Sequence, residues 1–357
     1  MAHITQGSGN TPLCEIPKDY YPEGCGLWLK ISRGIDKGKR LFFRDSTHGR
    51  HEPEDVILFV HGNPECSYSY RKVIKHLLMI ESKPIRIVNP DHIGFGLSDQ
   101  ASHEMVCMDH AENLLELINV LDLQNITMII HDWGGPIGIG AMLKAPERLK
   151  NLIILNSTVF PLSSRGLTYK NYPISWLGWS RTPYIIPDRF WGAFASYAMF
   201  INPTGSMKLL LGMLSYIKKA ELGILPKDDY KARLVFTQQF LSKSNVKSSK
   251  RLVLQSAVWG QGNSYNDPKI GIRSTKPFYD FIQKNIRLSW STNSNRIGVY
   301  GVIGKWDPLG NESVLKQWLN HLPQLKNNLT IFSDVGHFIE EVKYKKIAEV
   351  ILKSITQ

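Results

Sequence analysis

Short apolar runs bounded by turn-forming residues set the rhythm of the chain. Leu27 to Ile31, Arg40 to Phe43 and Val56 to Val60 have the length of strands, and the third is apolar at every position, as a strand buried on both faces requires. Ile85 to Val88 and Ile126 to Ile130 repeat that buried character. Each follows a segment with amphipathic helical spacing, Tyr70 to Ile80 and Met108 to Leu121. Strands alternating with helices predict a parallel sheet covered on both faces. The alternation continues through a helix starting near Gly134 and a strand at Leu152 to Leu155, then stops. From about Phe160 to Lys276 the chain is rich in aromatics and helix-like segments, and strands return at Ile297 to Ile303 and Leu329 to Phe332. The expectation is an α/β fold with a mostly parallel eight-stranded sheet flanked by helices. Residues 25–159 and 277–357 form the core, 160–276 an inserted helical cap, and 1–24 an extended N-terminal arm.

Composition narrows the class. With 357 residues, 43% hydrophobic and 21% charged, the chain can bury a full-sized core. Its formal net charge of +12 is scattered rather than blocked, and nothing resembles a nucleic-acid module, so no nucleic-acid partner is expected. The densest basic run, Lys243 to Arg251, is short and Ser-rich and reads as a solvated surface loop. Cys14, Cys25, Cys66 and Cys107 form no C-x-x-C pair and read as reduced thiols. A Cys14–Cys25 bridge would suit an exported protein, yet Met1 to Asn10 carries no apolar signal core, so a cytoplasmic location is expected. Phe190 to Ile217 is interrupted at Asn202, Pro203, Thr204 and Gly205, so neither half reaches the ~20 residues of a membrane span. A greasy cap is the expectation there, and the basic surface leaves peripheral membrane contact open.

In open α/β sheets the reactive residues lie just past the carboxyl ends of the strands. Ile126–Ile130 is followed by His131-Asp132-Trp133-Gly134-Gly135, a strand-to-helix turn like a nucleophile elbow with Asp at its centre. A carboxylate there can attack carbon and form an ester. An aspartate in that position also suits a helix N-cap, and the motif alone does not choose between the two. The other strand ends favour chemistry. After Val56–Val60 comes His61-Gly62-Asn63-Pro64, a tight turn able to present a backbone N–H and the Asn63 amide. Past the last strand lies Gly336-His337-Phe338, a base in the nucleophile, acid, base order. An acid orienting that base would follow Leu152–Leu155 or Ile297–Ile303. The first place reads Asn156-Ser157-Thr158 and the second Trp306-Asp307-Pro308, which leaves Asp307.

These landmarks, with Ser67-Tyr68, Tyr70-Arg71, Pro90-Asp91-His92-Ile93-Gly94-Phe95-Gly96-Leu97-Ser98-Asp99 and Pro146-Glu147-Arg148, resemble haloalkane dehalogenases of the α/β-hydrolase fold. The resemblance spans about residues 55–160 and 295–355. It implies Asp132 as nucleophile, His337 as base and Asp307 as acid, with Asn63 and Trp133 receiving the departing halide and holding the oxyanion. It implies no metal and no organic cofactor. Epoxide hydrolases are similar but usually carry Gly where Ile130 stands and an aromatic where Asn63 stands. A third resemblance, to bacterial β-lactone decarboxylases of olefin synthesis, rests on Asn156-Ser157-Thr158-Val159-Phe160-Pro161-Leu162, Arg181-Thr182-Pro183 and Gly223-Ile224-Leu225-Pro226 with Asp229-Tyr230. The apolar cap, with Trp176, Trp179, Phe190, Trp191, Phe194 and Tyr197, suits a small or long apolar substrate such as a halogenated alkane, epoxide or β-lactone; helix packing accounts for most of these side chains equally well. A non-catalytic ligand-binding protein of the same fold is the alternative from another class.

Overall fold

The structure is a computed structural model that describes residues 3–7, 9–21, 26–81, 83–291 and 296–356. The first strands are β1 (His3–Thr5), β2 (Gly26–Lys30), β3 (Arg40–His48), β4 (Asp55–Val60) and β5 (Ile85–Pro90). β6 (Ile126–His131) and β7 (Leu149–Leu155) follow, then two hairpins, β8 (Pro173–Ile174) with β9 (Leu177–Gly178) and β10 (Ser264–Asp267) with β11 (Gly271–Ser274). β12 (Gly298–Gly304) and β13 (Leu329–Phe332) complete the set.

One nine-stranded sheet runs in the order β1-β2-β3-β5-β4-β6-β7-β12-β13. Every pairing from β5 through β13 is parallel, whereas β1, β2 and β3 join antiparallel at one side. The sheet therefore has one strand more than expected. His3–Thr5, in the stretch read as an unpatterned arm, pairs with Trp28 to Lys30, because an edge strand needs only backbone donors and acceptors and no apolar period.

The alternation of β4 shows why the sheet is covered on both sides. Val56, Leu58 and Val60 join one apolar cluster, and Ile57 and Phe59 join the other. The second cluster is closed by α1 (Arg71–Ile80) and the C-terminal helix, numbered below. The first is closed by α2 (Cys107–Val120) and α3 (Gly134–Met142), together with the cap.

Between β7 and β12 the chain is mainly helical. α4 (Thr182–Ile185), α5 (Trp191–Met199), α6 (Ser206–Glu221), α7 (Tyr230–Gln238), α8 (Lys243–Gln255) and α9 (Lys276–Trp290) lie there, and α9 packs back on α3. α10 (Glu312–His321), α11 (Ile339–Val342) and α12 (Tyr344–Thr356) end the chain. The basic run Lys243 to Arg251 is a helix rather than the expected loop. Val246, Leu252 and Val253 supply its apolar face, Ser248 and Ser249 let it pack closely, and Lys250 and Arg251 pair with Asp188 and Glu104. Among the described residues no helix is long and apolar enough to cross a membrane. Cys14, Cys66 and Cys107 carry free thiols, and Cys25, with the bridge considered for it, lies outside the described residues.

Candidate active site

Parallel pairing brings the carboxyl ends of β4, β6, β7, β12 and β13 to one edge. At the end of β6 the backbone reverses at Asp132, whose φ of 49° lies in the left-handed region. That conformation costs a non-glycine residue about 1 kcal/mol or more and is held only where surroundings enforce it. Two close approaches do so here. A Cβ on Gly134 would meet the Val60 carbonyl oxygen at 2.1 Å, and one on Gly62 would stand 2.5 Å from the Asp132 Cβ. Glycine at both positions lets the β4 turn and the β6 turn touch.

The Asp132 carboxylate does not cap α3. Its Oδ2 accepts the Asn63 backbone N–H at 2.8 Å, and its Oδ1 lies 3.3 Å from Nε2 of His337. Across the imidazole, Nδ1 of His337 donates to Oδ2 of Asp307 at 2.9 Å. The same Oδ2 accepts the Asn156 amide N–H at 2.6 Å, and Asn156 is itself fixed by the Gly304 N–H, 2.7 Å from its Oδ1. Burial opposes a second proton on His337, but Asp307 and Asp132 outweigh it and raise the imidazole pKa well above its ordinary value.

The Asn63 amide is tied to the cap. Ser249 Oγ on α8 donates to its Oδ1 at 2.5 Å, and Trp191 N–H donates to that same Oγ at 3.0 Å. This orients the amide nitrogen, which makes a long contact of 3.4 Å to the Ser249 carbonyl. The buried Trp133 ring stacks on Trp259 at 3.8 Å and 21°, and Tyr169 continues the stack at 5.8 Å and 26°. Trp259 is anchored by its N–H on the Thr158 carbonyl at 2.8 Å. The Tyr169 hydroxyl is buried beside Asp307; burial, with Asp307 and Asp132 nearby, raises its pKa well above normal.

A family model for the α/β hydrolase fold matches residues 55–198. A solved haloalkane dehalogenase from Paraglaciecola agarilytica superposes with a TM-score of 0.58 at 19% identity, covering 99% of each chain. The chain carries the α/β-hydrolase fold. A bromoperoxidase from Bacillus anthracis shares that hydrolase fold, with a TM-score of 0.61 at 14% identity over 93% of this chain and 100% of the other. Among curated proteins, a cis-3-alkyl-4-alkyloxetan-2-one decarboxylase from Shewanella oneidensis is 27% identical over 309 residues, 85% of this chain and 81% of that one. Haloalkane dehalogenase 2 of Mycobacterium tuberculosis is 33% identical over 141 residues, 39% of this chain and 44% of that protein.

The hydrolase fold thus gathers Asp132, His337, Asp307, Asn63 and Trp133 at one sheet edge. The four cap residues expected in a pocket separate. Trp176 is 56% exposed at the two-residue turn of the β8–β9 hairpin. Trp179 stacks on Phe194 and lines an apolar cleft with Leu209 and Met213 beneath α6, where no triad residue contributes. Phe190 is half-buried under the Arg189 guanidinium, 4.1 Å from its ring centre. Trp191 alone of the four connects to the site, through Ser249.

Sequence reasoning passed over Asn156, Ser249, Trp259 and Tyr169. Asn156 stood at an inspected strand end and was set aside for lacking a carboxylate; the others lie in the cap, where no motif marks them. Glu65, His131 and Glu340 were also missed. They bring possible metal-ligand atoms within 4.8 Å of one another, but the two acids address opposite nitrogens of the ring, so no single nitrogen faces both.

Proposed function

We propose that this chain is an enzyme that displaces an anionic leaving group from carbon in an apolar substrate by forming an ester on Asp132. The observation that carries the reading is the position of Asp132, with Oδ2 held by the Asn63 N–H at 2.8 Å and Oδ1 left facing His337 at 3.3 Å. Oδ1 attacks in line with the departing group, while the Asn63 amide and the Trp133 indole N–H receive the anion. Alkylation removes the negative charge of Asp132, one of the two groups that hold a proton on His337. The base therefore becomes available after the ester has formed. In a hydrolytic second step His337 takes a proton from water, the hydroxide adds to the ester carbonyl, the Asn63 N–H holds the oxyanion, and Asp307 stabilises the imidazolium.

The relative matched over 85% of this chain acts on an oxetan-2-one by its name, whereas the dehalogenase match covers 39%. We therefore take a dialkyl β-lactone as the first substrate. Attack of Asp132 on the ring carbon that bears oxygen breaks that C–O bond and frees a carboxylate. Loss of carbon dioxide then sends its electron pair into a C=C bond and returns the ester oxygen to Asp132 as carboxylate, without water. The second reading, haloalkane hydrolysis, is favoured by one feature, the pair of N–H donors at Asn63 and Trp133.

The test measures carbon dioxide from a cis-dialkyl β-lactone beside halide from a brominated alkane and diol from an epoxide. Carbon dioxide release is the expected result, and halide release alone would reverse the order. With the brominated alkane, His337→Gln should accumulate a mass adduct on Asp132. Tight binding without turnover or adduct on all three would favour the ligand-binding alternative.

A further inference from the structure

Behind the triad lies a fully buried group of charges to which the chemistry above assigns no part. His131, the last residue of β6, places Nδ1 2.6 Å from Oε1 of Glu65 and Nε2 2.9 Å from the main-chain carbonyl oxygen of His337. Glu65 Oε1 also accepts the Gly62 N–H at 2.6 Å. Glu340, in the first turn of α11, stands with Oε2 3.6 Å from the same Nε2. All three side chains are excluded from solvent.

A carbonyl oxygen only accepts, so Nε2 must carry a proton. An ionised Glu65 that already accepts from Gly62 also only accepts, so Nδ1 must carry one as well. The ring then bears both protons and a positive charge. It is linked through Glu65 to the turn that presents Asn63, belongs to the residue that precedes Asp132 in the chain, and holds the backbone of the base, with its ring centre 4.7 Å from that of His337.

We propose that His131 is a positioning residue, a buried imidazolium seated on Glu65 that pins the His337 backbone and sets a positive charge beside its ring. The inference rests on the reading of His337 as the base. Its geometric part concerns placement: Glu65 and His131 join the oxyanion turn, the nucleophile elbow and the base loop, so the 3.3 Å approach of His337 to Asp132 is fixed from behind. Its electrostatic part opposes Asp307 and Asp132, which draw a proton onto His337, whereas the neighbouring His131 works against it.

The titratable and charged groups around the ring are Glu65 and His61 beside the β4 turn, Tyr70, Asp132, His337 with Asp307, and Glu340 with Glu341 on α11. Glu341 is neutralised by Arg71 and Lys72. Burial opposes the His131 charge, but Glu340 and Glu65 outweigh it and push its pKa up to about 9. Burial, reinforced by Glu65, pushes Glu340 up to about 8, whereas at Glu65, the acid in contact with the ring, burial is outweighed by His131 and the pKa is lowered.

The test is a pH titration of protein labelled with nitrogen-15 in its eleven histidines, followed by NMR in the wild type, His131→Gln and Glu65→Gln. The His131 ring, identified by the signals that vanish in His131→Gln, should keep both N–H protons from pH 6 to 8. The His337 titration should move to higher pH by about one unit or more in His131→Gln, as loss of a like charge requires, whereas in Glu65→Gln, which removes the counter-ion, the His131 ring should lose a proton at lower pH than in the wild type. A His131 ring with a single N–H in that range, or an unmoved His337 titration in folded His131→Gln, would overturn the proposal. These readouts need no substrate. If the functional reading is wrong, the His337→Gln adduct fails to form while the titration result still stands.

Discussion

Asn156 donates its amide N–H to Oδ2 of Asp307 over 2.6 Å, and its carbonyl accepts the N–H of Asp132 at 3.2 Å, so one residue of β7's end steadies both acids. A hydrogen bond to a charged group is worth about 1.5–3 kcal/mol. Asn156→Ala should therefore slow ester hydrolysis by about 10–100-fold while adduct formation changes less. Single-turnover kinetics with a brominated alkane separate the two steps.

Buried histidines give stability a two-sided pH dependence. Burial lowers the pKa of His61, His92 and His110, the last to about 3. The unfolded chain takes protons there first, so their contribution is present above the ordinary histidine value of about 6.5 and is lost as pH falls. His131 has the opposite sign: its pKa is raised to about 9, so its stabilisation is complete below about 6.5 and is lost as pH rises toward 9. Glu340, raised from about 4.5 to about 8, has the same sign, and its contribution is lost as pH rises from about 4.5 to 8. The melting temperature should peak near neutrality and fall on both sides, and His131→Gln should flatten the alkaline side; thermal melts from pH 4 to 9 check this.

Ser249 orients the Asn63 amide and accepts the Trp191 N–H. Ser249→Ala leaves that indole N–H unpaired in the core and the amide unfixed, at a cost of about 1–3 kcal/mol. Urea unfolding should record a loss of that size, and kcat/KM should fall about tenfold. An unchanged kcat/KM would mean that the Asn63 amide does not need the cap.

α6 is apolar on two opposite faces. Leu209, Met213 and Tyr216 are buried, whereas Met207, Leu211 and Leu214 are exposed at helical spacing beside Lys208, Lys218 and Lys219. We expect this outer face to meet an anionic lipid surface. The protein should sediment with vesicles of mixed phosphatidylserine and phosphatidylcholine, not with phosphatidylcholine alone, and a Leu211→Asp, Leu214→Asp double variant should stay in the supernatant. Self-association through this face would instead appear as a larger species without vesicles.

Much of the site could be read before the fold was known. The apolar runs of β4 and β6, the glycines at positions 62 and 134, and the chain order of Asp132, Asp307 and His337 are local features. Strand period, turn chemistry and the residue after a strand depend on near neighbours, so the sequence by itself determined the alternation of elements and the placing of Asp132, Asp307 and His337 just past strands. It left a helix cap and a reactive carboxylate both open at Asp132; the contacts that turn its carboxylate toward Asn63 and His337 required a neighbouring strand to bring Gly62 and Asn63 alongside. The support of Asp307 by Asn156, the hold of Ser249 on Asn63, the Trp259 stack and the Glu65 to His131 to His337 relay came only with tertiary structure. Each joins residues far apart in the chain, and no local pattern encodes a contact created by strand order and by the docking of a helical cap.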